Sequence, residues 1–305
     1  MTTDSVTAPS RLALVSAFAI VYVVWGSTYL AILFAIDTLP PFLMASMRFL
    51  IAGVLLYAWS RTRGGAAAPN RSQWRATAFV GVLLLLGGNG LVVWSEQRIP
   101  SGMAALLVGT VPCFMVLLDW LRANGQRPTR LVVAGLALGL LGLVWLVGPD
   151  SVMGGGRADL LGAAALVLAS FSWAFGSIWS RHAPMPASPF LSTAMQMLAA
   201  GVALLGVSLL LGEPWRFDVS AVSLRSWLGF LYLVVFGSLI AFSAYVWLLR
   251  ASTPERVSTY AYVNPVVAVL LGAAFAGEAL TVRMAVAAVV IVSGVALITL
   301  APRRV

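Results

Sequence analysis

The chain has 305 residues, of which 61% are hydrophobic and 10% are charged, and its formal net charge is +9. Ordinary globular proteins carry about 25% charged residues, so this composition excludes a soluble protein with a conventional polar surface. The chain contains no lysine. By itself it therefore has no Walker-A phosphate loop and no retinal-type Schiff base, which excludes an ATP-driven or a light-driven pump.

Apolar blocks follow one another along the whole chain and are separated only by short loops. Each block has about 18 to 25 residues, the length that an α-helix needs to cross a hydrocarbon core of about 30 Å. The sequence therefore predicts an all-α integral membrane protein with ten transmembrane helices. The predicted spans are 12–35, 42–59, 75–95, 101–121, 130–147, 158–179, 189–211, 226–249, 256–276 and 282–300.

The basic residues predict the orientation of these spans. With the N-terminus in the cytoplasm, most of the 19 arginines fall in cytoplasmic segments, and Arg48 alone lies inside a span. This distribution obeys the positive-inside rule. We therefore expect both termini in the cytoplasm and the lipid bilayer as the partner, and we expect no binding of nucleic acid.

The second half of the chain repeats the first. The offset that superposes Pro112 on Pro265 also superposes Trp94 on Trp247. Each repeat holds five spans, an odd number, so the second repeat must enter the bilayer from the opposite side. We predict two inverted five-helix repeats around a central cavity, residues 1–150 and 151–305.

Pro112 and Pro265 lie deep within the fourth and ninth predicted spans. A proline removes its own N–H and frees the carbonyl four residues earlier, which is costly in lipid unless protein or water satisfies it. A matched pair of such breakers points to helix breaks or hinges beside a transport pathway. A simple packing kink is the alternative for each proline.

Polar and aromatic residues at a similar depth form the candidate substrate site. Tyr260 and Asn264 are four residues apart and share one helical face, and Asn89 lies within a run of glycines. Tryptophan, tyrosine, asparagine and serine suit a small solute with an apolar part and hydrogen-bonding groups. For the serines and glycines, close helix packing is the alternative. The candidate substrate-binding residues are Trp25, Ser27, Arg48, Asn89, Trp173, Ser177, Phe242, Tyr245, Tyr260 and Asn264.

Arg48 is the exception among the charged residues, because ionisable side chains within a span are costly and often functional. It can bind a substrate carboxylate, or it can bond to main-chain carbonyls or to Glu96. We find no carboxylate at the middle of a predicted span, which favours facilitated diffusion or exchange over tight proton coupling, although Glu96 could titrate.

The inventory of reactive side chains predicts a protein that is not an enzyme. His182 is the sole histidine and Cys113 the sole cysteine, so a histidine-pair metal site and a disulfide within the chain are excluded. No nucleophile and base stand together within a span. We expect no catalytic residues, no metal and no cofactor.

Several motifs give the chain a family resemblance. They include Trp25-Gly-Ser-Thr-Tyr29, Gly88-Asn-Gly90, Ser172-Trp-Ala-Phe-Gly-Ser177 and the run from Tyr260 through Asn264-Pro265. With these motifs the chain resembles the drug/metabolite transporter superfamily, specifically its ten-helix EamA-type bacterial exporters. The resemblance implies two five-helix halves around a cavity that opens alternately to either side of the bacterial inner membrane. It also implies export of amino acids, aromatic ones included, or of drugs and other metabolites.

The sequence thus predicts a secondary transporter that exports small organic solutes by alternating access, with amino acids as the leading class. Export or exchange of other metabolites or drugs is the first alternative. A membrane scaffold or receptor that transports nothing is the second. We expect a monomer or a weak homodimer, and the small-residue motif Gly135-x-x-x-Gly139 can pack helices either within the fold or between subunits.

Overall fold

The computed structural model describes residues 10–99, 104, 107–123, 125–147, 160–275 and 281–302. Every regular element in these ranges is helical, as the sequence predicts. Seven helices in these ranges are long and apolar enough to cross a membrane, namely Arg11–Ile36, Pro41–Thr62, Arg71–Ser95, Leu160–Ser180, Pro189–Leu210, Leu224–Ala251 and Val282–Leu300. In chain order, the main helices are α1 (Arg11–Ile36), α2 (Pro41–Thr62), α3 (Arg71–Ser95), α4 (Val111–Leu121), α5 (Arg130–Val147), α6 (Leu160–Ser180), α7 (Pro189–Leu210), α8 (Leu224–Ala251), α9 (Tyr260–Phe275) and α10 (Val282–Leu300).

The predicted spans and these helices agree within a few residues at most ends, and 130–147 coincides with α5. The fourth predicted span, 101–121, is the least covered, because α4 begins only at Val111 and residues 100–103, 105 and 106 lie outside the described part of the chain. The structure therefore bears out an all-helical membrane protein, while the count of ten spans and the inverted repeat stay predictions.

Two of the long helices change their winding near the middle. In α3 the segment Val82–Gly90 is π-helical, and in α8 the segment Leu233–Phe242 is π-helical. A π-helix bonds each N–H to the carbonyl five residues back, is rare, and often occurs at functional sites. When the sequence is aligned with itself so that Pro112 matches Pro265, the two π-helical segments overlap. Nothing in the sequence pattern predicted them.

Helix α2 receives its N-terminal cap from a distant part of the chain. It begins with Pro41, whose missing N–H costs nothing in the first turn. The next two main-chain N–H groups, of Phe42 and Leu43, donate to the carboxylate of Glu213 at 3.2 and 2.7 Å. The hydroxyl of Ser208 donates to the same carboxylate at 2.7 Å. Glu213 thus fastens the start of α2 to the end of α7.

Helices α2 and α7 pack closely through a reciprocal pair of glycines. A β-carbon at Gly53 would lie 3.0 Å from the main-chain nitrogen of Leu198, and one at Gly201 would lie 3.1 Å from that of Leu50. Each helix thus contributes one glycine that contacts the main chain of the other helix, as in a contact across a two-fold axis. Small residues at both positions therefore set the spacing of this helix pair.

Helices α5 and α10 make a second close pair. A β-carbon at Gly135 would lie 2.6 Å from the carbonyl oxygen of Gly294, and one at Gly294 would lie 2.7 Å from that of Gly135. Gly139 faces the ring of Tyr262 in α9, with a distance of 2.5 Å from its would-be β-carbon. The Gly135-x-x-x-Gly139 motif therefore packs helices within the chain.

Pro112 lies directly after a helix interruption, whereas Pro265 lies inside a helix. Pro112 is the second residue of α4, directly after a turn at 109–110, where its missing N–H leaves no bond unmade. Pro265 lies inside α9, and the interruption before α9 falls at Thr259, after the short helix Pro254–Ser258. Their proposed role as hinges stays a prediction.

Candidate substrate cavity

A cavity of about 90 Å³ lies between the helices, and residues from α1, α2, α3, α4, α6, α8 and α9 line it. Most of its wall is apolar or aromatic, with a few polar groups, which is the usual make-up of a site for a small molecule. Of the candidate residues predicted from the sequence, those that line it are Trp25, Arg48, Asn89, Trp173, Phe242, Tyr260 and Asn264. The others, Ser27, Ser177 and Tyr245, lie behind this wall.

Trp25 is the centre of an aromatic cluster at the cavity. Its ring meets those of Trp173 and Tyr260 edge to face, with centroids 5.5 and 5.0 Å apart. Its indole N–H donates to the carbonyl of Gly237 at 3.3 Å, which joins α1 to the π-helical segment of α8. Such rings supply a large apolar surface whose edge-to-face contacts are favourable in themselves. The cluster therefore gives the cavity a rigid apolar side.

Tyr245 holds this wall from behind and is fully buried. Its hydroxyl oxygen accepts the indole N–H of Trp173 at 2.8 Å and shares a 2.6 Å hydrogen bond with Ser177. Ser27 likewise bonds within the helix bundle, donating to the carbonyl of Val24 at 2.7 Å. Tyr245 and Ser177 thus hold the cavity residue Trp173, whereas Ser27 bonds to groups that do not line the cavity.

Arg48 lines the cavity and is only 4% exposed. Its Nε donates to the hydroxyl of Ser238 at 2.7 Å, and its guanidinium lies 4.8 Å from the ring centre of Phe49. Its Nη1 has no hydrogen-bond partner in the described part of the chain, and no ion pair is found for it there. A β-carbon at Gly237 would lie 2.9 Å from Nη2, so that glycine leaves the guanidinium its space. The site therefore presents a buried positive charge with a free donor.

The two asparagines of the cavity have different bonding. The amide nitrogen of Asn264 donates to the carbonyl oxygens of Tyr22 and Tyr260 at 3.2 and 3.0 Å, so its donors are already used. The side-chain oxygen of Asn89 is buried and has no hydrogen-bond partner among the described residues. Among the described residues, the side-chain oxygen of Asn89 is thus an acceptor without a partner and Nη1 of Arg48 a donor without a partner, and both residues line the cavity.

Some important neighbours were not predicted. Ser238 is the partner of Arg48 although the two are far apart in sequence, and Thr28, Tyr29 and Ser170 also line the cavity. Glu96, one of the expected partners of Arg48, makes no hydrogen bond through either carboxylate oxygen to any residue that the structure describes. Only the resemblance of the Trp25-Gly-Ser-Thr-Tyr29 motif gave a signal for Thr28 and Tyr29. The sequence shows that Ser238 is polar, but it does not show that Ser238 bonds to Arg48.

A bundle of apolar helices around a cavity with aromatic walls and a few free polar groups is the architecture of a membrane carrier. The chain belongs to the EamA-like transporter family, whose match covers residues 12–148 and 160–300. It is 41% identical over 290 residues to the uncharacterized inner membrane transporter YedA of Escherichia coli K12, across 95% of this chain and 91% of that protein.

More distant relatives span most of the chain. Protein PecM of Dickeya dadantii is 29% identical over 284 residues, which cover 90% of this chain and 88% of that protein. A solved crystal structure with 23% sequence identity matches with a TM-score of 0.77 and covers 95% of this chain and 98% of the other. This last likeness extends the agreement to the fold as a whole.

Proposed function

We propose that this protein is a secondary transporter that exports small organic solutes across the bacterial inner membrane, with amino acids as the leading class. The observation that carries this proposal is the pair of unpartnered groups in one aromatic cavity, the Nη1 donor of Arg48 and the side-chain oxygen of Asn89. The similarity to YedA, an inner membrane transporter, supports a location in the inner membrane. The distribution of arginines supports cytoplasmic termini.

An amino acid matches these two groups in chemistry. Its carboxylate is an acceptor for the guanidinium of Arg48, and a charge-assisted bond of this kind is among the stronger ones in proteins. Its ammonium is a donor for the oxygen of Asn89 and a cation for the aromatic faces of Trp25 or Trp173. An apolar side chain suits the remaining wall. A cationic drug is disfavoured, because a buried guanidinium would repel it.

Alternating access between two inverted halves is the proposed mechanism. The matching π-helical segments in α3 and α8, and the reciprocal glycine contact of α2 with α7, support a pseudo-two-fold relation between residues 1–150 and 151–305. Rocking of one half against the other would expose the cavity first to one side and then to the other. Pro112 and Pro265 would shape the helices that move, and a monomer or weak dimer suffices.

Counterflow in liposomes tests the proposal. Vesicles that contain the purified protein and unlabelled phenylalanine are expected to accumulate labelled phenylalanine transiently, and phenethylamine, which lacks the carboxylate, is expected not to compete. Arg48→Gln should lose this uptake, whereas the control Arg225→Gln, whose guanidinium stacks on Phe34 outside the cavity, should keep it. Absence of uptake for aromatic and aliphatic amino acids by folded wild-type protein would refute the assignment.

A further inference from the structure

Glu96 is a buried acid that the proposed substrate site does not use. It follows α3 directly and comes one helical turn after Val92, which lines the cavity. Its side chain is 8% exposed, and within the described ranges neither carboxylate oxygen has a hydrogen-bond partner. A buried carboxylate without a partner is so unfavourable in its charged form that it takes up a proton instead. In this conformation Glu96 is therefore a neutral carboxylic acid.

The groups around Glu96 do not stabilise its charge. From α1, Tyr29 of the cavity wall lies close enough to interact with it electrostatically, and α6 carries no titratable side chain. From α2, Arg48 bonds to Ser238 rather than to Glu96. The guanidinium of Arg98 lies over the ring of Trp94 at 4.6 Å.

Burial is thus the main influence on this acid. Glu96 lies one residue beyond the membrane-spanning helix α3, and burial raises its pKa from 4.5 to about 8. An acid with such a pKa keeps its proton at neutral pH while it is enclosed. Contact with water would lower the pKa towards the ordinary value and release the proton.

We propose that Glu96 couples solute export to the inward movement of a proton. The carboxylate takes up one proton from the outer side, which neutralises it and lets the bundle close. By the predicted topology Glu96 lies at the outer end of α3. When the closed bundle reopens to the cytoplasm, water therefore reaches Glu96 through the cavity, the O–H bond breaks and the proton leaves to that side. The ammonium of a bound amino acid then compensates the ionised carboxylate, so the bundle closes again only with solute and carries it outwards. One proton thus enters for each solute exported, and no electron is transferred. This inference rests on the proposed transport function, and it replaces the expectation of facilitated diffusion or exchange drawn from the sequence.

The test compares two modes of transport in liposomes for the wild type, Glu96→Gln and the control Glu255→Gln. Glu255 is partly exposed in a short helix away from the cavity. The first mode is counterflow of phenylalanine without a pH gradient, and the second is accumulation of phenylalanine driven by a pH gradient. Glu96→Gln is expected to keep counterflow within about two-fold and to lose at least ten-fold in gradient-driven accumulation. Glu255→Gln should match the wild type in both modes. Gradient-driven accumulation by Glu96→Gln at the wild-type level would overturn the proposal.

Two further measurements cover the other outcomes. If Glu96→Gln does not fold, a pH dye in weakly buffered detergent solution reports whether the wild type exchanges protons when phenylalanine is added between pH 6 and 9. No exchange would overturn the inference. If the folded wild type transports no amino acid, the substrate assignment fails separately. The role of Glu96 is then tested by intrinsic tryptophan fluorescence across the same pH range, where a transition in the wild type that persists in Glu96→Gln would overturn it.

Discussion

Replacing Gly81 with alanine should separate two helices that now touch through their backbones. Gly81 is buried in α3, and a β-carbon there would lie 2.3 Å from the carbonyl oxygen of Gln196 and 2.9 Å from its Cα in α7. Ordinary β-carbon contacts begin near 3.4 Å. The backbone cannot rotate away as a side chain can, so α3 and α7 must move apart by about 1 Å, a form of overpacking that costs about 1–3 kcal/mol.

Gly206→Ala is the matched control for this change. It lies in α7, and a β-carbon there would meet nothing within 4 Å. Both substitutions gain the same helix propensity, up to about 1 kcal/mol, so the difference between them isolates the steric term. We expect Gly81→Ala to be about 1–3 kcal/mol less stable than Gly206→Ala.

Reversible unfolding by increasing SDS in mixed micelles gives the two free energies, and thermal unfolding followed by tryptophan fluorescence checks their order. Both variants should be measured in the same detergent at the same lipid content, because bound lipid also stabilises the folded state. Equal stabilities, or a more stable Gly81→Ala, would show that α3 and α7 are not in contact at this glycine.

Three further predictions concern hydrogen bonds and titration. Tyr245→Phe leaves the buried indole N–H of Trp173 without its acceptor, and thermal unfolding should show a loss of about 1–3 kcal/mol. Glu213→Ala removes the cap of α2 and should cost about 1 kcal/mol in the same assay, and Glu213→Gln, which keeps an acceptor, should cost less. The raised pKa of Glu96 implies that its contribution to the closed fold is complete below pH 4.5 and is lost as the pH rises through about 8. Stability should therefore fall by up to about 1.4 kcal/mol per pH unit across that window, and Glu96→Gln should remove this slope.

The sequence predicted most of what depends on local pattern. Spans were readable because burial in lipid requires long apolar runs, and α5 was located to the residue. The cavity residues were found because polar and aromatic side chains within apolar spans are rare enough to stand out. Trp25, Arg48 and Asn89 are examples that line the cavity.

What the sequence did not predict depends on contacts between distant segments. The bond between Arg48 and Ser238 joins α2 to α8, and no periodicity encodes it. Tyr245 was expected at the substrate, but its hydroxyl bonds to Trp173 behind the wall, a distinction that requires the packing of α6 against α8. The sequence indicated only that Glu96 could titrate, whereas its burial depends on neighbouring helices that no local pattern identifies.

The π-helical segment of α3 determines what a one-residue gap in a sequence alignment implies for the side chains at the cavity. Successive residues of an α-helix are separated by about 100° around its axis. Deleting one residue between Val82 and Gly90 would leave the length and hydropathy of the span nearly unchanged. In an uninterrupted α-helix, such a deletion would turn every later residue by about 100°. A π-helical turn holds about one residue more than an α-helical turn, so here the deletion converts that turn to α-helix instead, and Gly81 keeps facing α7 while Asn89 keeps lining the cavity. A relative whose alignment carries a single gap in this segment therefore presents the same set of side chains to the cavity from a regular α-helix.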